Sequence, residues 1–396
     1  MENGELTKRL AVRLRVIDSR DAGKLARKFE YPTKPIYLPL QILIYSYLYE
    51  SDLVNSKRPL KAVLSGQRNS EVPLWLMRQA GRYLPEYRAL RSKKGGFLDL
   101  VYNSEAAVTV TRQPIERFGF DGAILFSDIL VIAHALGQDL WFEEGEGPRL
   151  APRLIDGGFE ALIAQPHRLD PIYATVAQLR RELPDATTLL GFAGSPWTVA
   201  SYMLNGRGSK DQNEARRYAY AHPAALGAVI AAVEALTITY LLGQIAAGAD
   251  VIQLFESWSG NLSPAQFEKW VVSPNARIVA ALRTKHPDVP VICFPKGAGG
   301  KLAHFVAAVK PSAIGLDETV DPIWAAAVLP KDLPVQGNLD PLALLAGGDS
   351  MSEAVATILQ AFADRPHVFN LGHGILPETP ISHVEQLVKM VRAFRC

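Results

Sequence analysis

The sequence predicts an α/β protein built as a single (β/α)8 barrel, with its active site at the carboxyl ends of the strands. Three observations lead there. Eight short apolar runs of strand length recur along the chain, stretches of helical periodicity separate them, and each run ends in a polar or glycine-bearing tag. Strand alternating with helix implies parallel pairing. Continuous apolar runs fit strands buried on both faces, and eight such units close a barrel. A doubly wound open sheet is the competitor. It usually carries a glycine-rich phosphate turn after its first strand, and neither GxGxxG nor GxxxxGK[ST] occurs here.

In chain order the runs are VPLWLM (72–77), DGAILF (121–126), TLLGFA (188–193), DVIQLF (250–255), VPVICF (289–294), AIGL (313–316), LPVQ (333–336) and HVFNL (367–371). Helical periodicity fills 223–247, 264–285, 301–309 and 352–363. The first run exits into Arg78-Gln79-Ala80-Gly81-Arg82, with Arg88 and Arg91 close behind. Guanidinium groups present forked donors that match carboxylate or phosphate, so several at one strand exit point to a polyanionic ligand. A solvated charged helix face is the plainer reading of the same stretch. The other tags include Ser127-Asp128, Gly194-Ser195-Pro196-Trp197, Glu256-Ser257-Trp258, Lys296-Gly297, Asp317-Glu318, Gly337-Asn338 and Gly372-His373-Gly374. If the barrel forms, they meet at one mouth.

Composition sets the outer limits. Of 396 residues, 48% are hydrophobic and 21% charged, the balance of a globular protein with a large core. A net charge of +2 without a long Lys/Arg block argues against a nucleic-acid surface. Cys293 and Cys396 make neither a disulfide framework nor a zinc spacing, so a cytoplasmic setting is expected. Residues 1–56 read as an atypical extension before a domain spanning 57–396. Their apolar stretch PIYLPLQILIYSYLY (35–49) is too short and too broken by proline to span a bilayer, which takes about 20 apolar residues. No secretory cleavage pattern follows it, and no membrane partner is expected.

Seven blocks in order, MRQAGRYLPEYR (77–88), FSDIL (126–130), GFAGSPWT (191–198), QLFESW (253–258), KGAG (296–299), QGNLDP (336–341) and FNLGHGI (369–375), resemble the uroporphyrinogen decarboxylase family. Short blocks alone carry little; this set in this order is specific, and it reaches from about Lys57 to the C-terminus. The resemblance implies a TIM-barrel carboxy-lyase of porphyrin and heme biosynthesis. Such an enzyme converts the four acetate side chains of uroporphyrinogen III to methyls, giving coproporphyrinogen III, with no cofactor and no metal, as a homodimer. By position, Arg78 resembles the family's essential arginine, and Arg82 and Arg91 match others that bind substrate carboxylates. Asp128 resembles the acid that accepts the pyrrole N–H groups. Tyr202, Ser257 and His373 match further binding positions, whereas Lys296 equally suits a simple βα turn.

Each residue also has a structural reading. Asp128 can cap a helix, Ser257 and His373 can shape turns, and Tyr202 can be packing. Ser195 in GFAGSPW invites a serine-hydrolase reading, but Pro196 follows at once and the G-x-S-x-G elbow is absent. Two other functions stay open. A corrinoid-linked methyltransferase on the same barrel needs a His-x-Cys pair and a second cysteine for zinc, and Ile292 and Val291 precede Cys293 instead. A non-catalytic tetrapyrrole carrier would bind the macrocycle and release no carbon dioxide.

Overall fold

The computed structural model describes residues 58–143 and 145–396, so the expected extension over residues 1–56 lies outside the described residues. Strand β1 (Gly122–Ile124) opens the main sheet. Strands β2 (Asp139–Glu143) and β3 (Gly147–Ala151) leave it as a separate antiparallel hairpin. The sheet resumes with β4 (Thr188–Gly194), β5 (Val251–Glu256), β6 (Val291–Pro295), β7 (Ala313–Gly315), β8 (Val335–Gln336) and β9 (His367–Val368). Neighbours in sequence are neighbours in the sheet, and every pair is parallel. Each connection carries helix, as the alternating periodicity predicts.

The eight-strand expectation needs one correction. Among the described residues seven strands pair regularly, and the run 72–77 contributes only a bridge, Leu74 to Phe369. Pro73 has no N–H to give a ladder. The N–H groups that follow go largely to side chains: Leu74 to Asp121 Oδ2 (2.8 Å), Leu76 to Gln79 Oε1 (3.0 Å) and Met77 to Asn370 Oδ1 (2.9 Å). The segment still touches both edges of the sheet. Phe369 N donates to Pro73 O at 2.9 Å on one side, and Asp121 N to Leu74 O at 3.0 Å on the other.

Inside the sheet's curve, Phe192, Phe255 and Phe294 stack edge to face, with centroids 5.5 and 6.1 Å apart. A polar chain crosses the same interior: Trp75 Nε1 donates to Gln336 Oε1 (3.0 Å), and Gln336 Nε2 to Gln253 Oε1 (3.1 Å). Outside, the helix Pro223–Ala246 is the one described helix long and apolar enough to cross a membrane. Its polar side chains tie it to the sheet instead. Gln244 donates to Phe192 O (3.0 Å) and accepts from Phe192 N (2.9 Å).

The expected helix over 264–285 is present but interrupted. Its turn Glu268–Val272 is a π-turn between Pro264–Phe267 and Ser273–Lys285. Pro274 cannot donate to Trp270, so the ladder must widen there. Asn275 Nδ2 donates to the carbonyl of Val271 at 2.8 Å.

Gln79 is fully buried and satisfies Leu76 N–H and, at 2.9 Å, the carbonyl of Gly122. Replacing it with Leu strands both backbone groups. Denaturant titration of Gln79→Leu is expected to show a loss of about 2–4 kcal/mol. A change below about 0.5 kcal/mol would mean the segment is held by something else.

Candidate active site

Five of the seven predicted site residues follow strands or the 74–77 segment: Arg78, Asp128, Ser257 and His373 in the strand-end turns, and Tyr202 on the helix after β4. Arg78 leaves the 74–77 segment in a left-handed backbone, φ 62°. An arginine there costs about 1–3 kcal/mol, so the surroundings must hold it. Gly374 is part of how they do so: a Cβ on it would lie 2.3 Å from Arg78 Cδ. The Arg78 guanidinium is exposed and acts electrostatically on Asp128, Tyr202 and His373.

Asp128 follows β1 and is half-buried. Its Oδ1 accepts the N–H of Leu130 at 2.8 Å, a local turn contact that the structural reading of this aspartate anticipates. Its Oδ2 has no hydrogen bond among the described residues. Burial holds the carboxyl above the usual carboxylate range, with Leu130 N–H and Arg78 pulling it back only in part. Phenols stand near it: burial raises Tyr102, Tyr202 and Tyr240, and the Asp128 charge raises each further. Tyr240 also lies 3.5 Å from Ser127, and Tyr102 bonds His134 Nδ1 at 2.7 Å.

His373 follows β9. Its Nδ1 accepts the N–H of Gly374 at 2.6 Å, so the neutral ring carries its proton on Nε2. Burial, then Arg78, then Lys296 push its pKa down to about 3. A ring with that pKa is a neutral hydrogen-bond donor at physiological pH. Lys296 itself pairs with Glu318 at 3.4 Å, and Gly297 N donates to Asp317 Oδ2 at 2.8 Å.

Tyr202 sits on the helix Pro196–Asn205, its ring 6.1 Å from that of Trp258. Ser257 precedes that tryptophan and gives its backbone N–H to Thr198 Oγ1 at 2.8 Å. Arg82 and Arg91 act on a different side chain. Both flank Tyr87, whose hydroxyl burial raises while Arg91 and Arg82 pull it back. Tyr87 in turn packs edge-on against Phe126, 5.9 Å away and two residues before Asp128. Arg88 donates to the carbonyls of Arg82 and Tyr83, so it braces its own turn.

Sequence reasoning missed two features of the site. The hairpin β2–β3 reaches the same neighbourhood through Phe142, which packs at 4.6 Å on Phe97, itself 5.5 Å from Phe126. The alternation in its strands is too weak to mark it. Glu256 was visible as part of a strand-end tag, but its full burial beside Thr198 was not. Among the described residues no three His, Cys, Asp or Glu side chains gather as a metal set.

Comparison with known proteins adds a direct observation. A family model described as uroporphyrinogen decarboxylase (URO-D) matches residues 55–394. A protein named uroporphyrinogen decarboxylase from Sphingopyxis alaskensis is 67% identical over 337 residues, 85% of this chain and 98% of the relative. One of the same name from Novosphingobium aromaticivorans is 59% identical over 336 residues, again 85% and 98%. A solved methyltransferase from Methanosarcina mazei superposes with TM-score 0.69 at 19% identity, covering 84% of this chain and 97% of that one. That likeness shows a shared barrel-like α/β fold. With a model match over most of its length and relatives of this identity, the chain belongs to the uroporphyrinogen decarboxylase family.

Proposed function

We propose that the chain decarboxylates the four acetate side chains of uroporphyrinogen III to methyls, giving coproporphyrinogen III in heme and porphyrin synthesis. The observation that carries this is a half-buried acid, Asp128, within the electrostatic reach of an exposed arginine, Arg78, inside a chain of that family. In each round a ring carbon is protonated, the bond to the carboxylate breaks, and its electrons pass into the cationic ring. Carbon dioxide leaves, the exocyclic carbon takes a proton, and the ring proton is lost. One acetate and one proton become one methyl and one carbon dioxide.

Asp128 Oδ2 accepts the pyrrole N–H groups and stabilises the ring while it is cationic, in a site where a charge partner is worth far more than in water. Its raised pKa suits this role, because it charges fully once cationic density arrives beside it. Arg78 binds the reacting or neighbouring carboxylate. Tyr202, Ser257 and the Nε2–H of His373 hold the others and so orient the macrocycle. Arg82 and Arg91 form an outer rim for the carboxylates that are not reacting. We read the Leu74 bridge as the eighth strand position, closing a full (β/α)8 barrel around this mouth. Residues 1–56 are an extension to that domain, and the protein works in the cytoplasm as a homodimer. Sedimentation showing only a monomer at working concentration would remove the dimer.

Asp128→Asn keeps an oxygen for the Leu130 N–H and removes the charge. Incubation with uroporphyrinogen, oxygen-free and reducing, followed by chromatography of the products, should show kcat down by about 10²–10³-fold. A carboxyl whose pKa rises on folding stabilises fully below its unfolded value and loses that contribution as pH rises through the folded one. At pH 7 the thermal midpoint of Asp128→Asn is therefore unchanged or raised. A fully active Asp128→Asn enzyme would sink its role, and binding without product would favour a carrier. The same assay on a chain starting near Lys57 should give equal activity.

The acid limb of kcat/KM belongs to Asp128. As pH falls, activity is expected to drop with a midpoint above about 4, the ordinary aspartate value. His373 is already neutral through this range. His373→Gln should therefore lower activity without moving the midpoint; a shifted midpoint would transfer the limb to the histidine.

A further inference from the structure

The proposed donors Tyr202 and Ser257 belong to different elements, the helix Pro196–Asn205 and the tag after β5. One buried pair joins those elements. Gln253 points inward to Gln336, so Glu256, three residues on, points to the opposite face, toward the helix. It is 1% exposed, and its Oε1 accepts the hydroxyl of Thr198. The same Thr198 oxygen accepts the Ser257 N–H at 2.8 Å. Thr198 and Tyr202 stand four apart and share a helix face. A second tie runs parallel: Trp197 Nε1 donates to Trp258 O at 3.1 Å, and the Tyr202 ring lies on Trp258.

The helix start explains why an acid stands here. Ser195 is its N-cap residue but makes no side-chain cap, because its hydroxyl donates to Asn275 Oδ1 at 2.9 Å. Uncapped N–H groups need an acceptor from elsewhere. Those of Trp197 and Thr198, with that of Trp258, lie near enough to Glu256 to favour its carboxylate, although burial outweighs them and pushes its pKa up to about 8. Glu256 Oε2 is left buried without a hydrogen bond. A packed core gains nothing from such an atom, and an apolar side chain would be cheaper to bury.

We propose that Glu256 and Thr198 are positioning residues: their joint sets Tyr202 and Ser257 relative to each other so that both meet the substrate's carboxylates. The inference rests on the site reading given above for Tyr202 and Ser257. Breaking the joint leaves the donors present and misplaced. Displacing one element by part of an ångström is enough to matter in a site that works by orientation.

Thr198→Val fills the same space without the hydroxyl. It is expected to lower kcat/KM for uroporphyrinogen by about tenfold or more, whereas Thr198→Ser stays within about threefold. In a Tyr202→Phe/Ser257→Ala background the same Thr198→Val change should cost less than about twofold, because the groups it positions are gone. Equal cost in both backgrounds, or a Thr198→Val enzyme at wild-type activity, overturns the proposal. Glu256→Leu supplies a second arm that does not depend on the valine variant folding. It removes the acceptor of the Thr198 hydroxyl altogether, so the same background-dependent loss is expected. If Asp128→Asn and Tyr202→Phe retain full activity, the site reading itself fails. If they lose activity while Thr198→Val and Glu256→Leu do not, only the joint fails.

Discussion

The strand-like segment at 74–77 depends on three side chains that take the place of a backbone ladder. Asp121, Gln79 and Asn370 accept its N–H groups at 2.8, 3.0 and 2.9 Å. Buried backbone donors must find partners, and here most of the partners come from outside the sheet. The arrangement ends the segment abruptly and releases the chain into a left-handed turn at Arg78. Asn370 also accepts the N–H of Leu371 at 2.7 Å, so one amide holds both the Arg78 arm and the arm that carries His373.

Charge in the mouth is arranged by burial as much as by pairing. Asp128 is raised, His373 is lowered, and the surrounding phenols are all raised, chiefly through desolvation. Neutral donors thus surround the raised carboxyl of Asp128, while the charges of Arg78, Lys296 and Asp317 all reach His373.

The surroundings of Tyr87 are organised separately. Arg82 and Arg91 gather at Tyr87, which rests on Phe126, and Phe97 and Phe142 extend the same aromatic wall toward the hairpin. Apolar contact therefore connects the outer cations to the strand end that bears Asp128. Phe192, Phe255 and Phe294 fill the interior of the sheet's curve with edge-to-face contacts.

The alternation of apolar runs and helical stretches was enough for the parallel α/β plan, because each strand buried on both faces leaves a continuous apolar signature. The ordered blocks from Met77 to Ile375 were enough for the family. Arg78, Asp128, Ser257 and His373 were legible as residues of strand-end tags, whereas Tyr202 was singled out by the family resemblance. Other features required the tertiary structure. That 72–77 bridges at one residue, that Arg82 and Arg91 stand at Tyr87, and that Glu256 lies buried against Thr198 all depend on contacts between residues far apart in the chain. Periodicity records which face of an element is apolar; it carries no trace of which distant side chain will satisfy a buried N–H, or of how far burial will move a carboxyl's pKa.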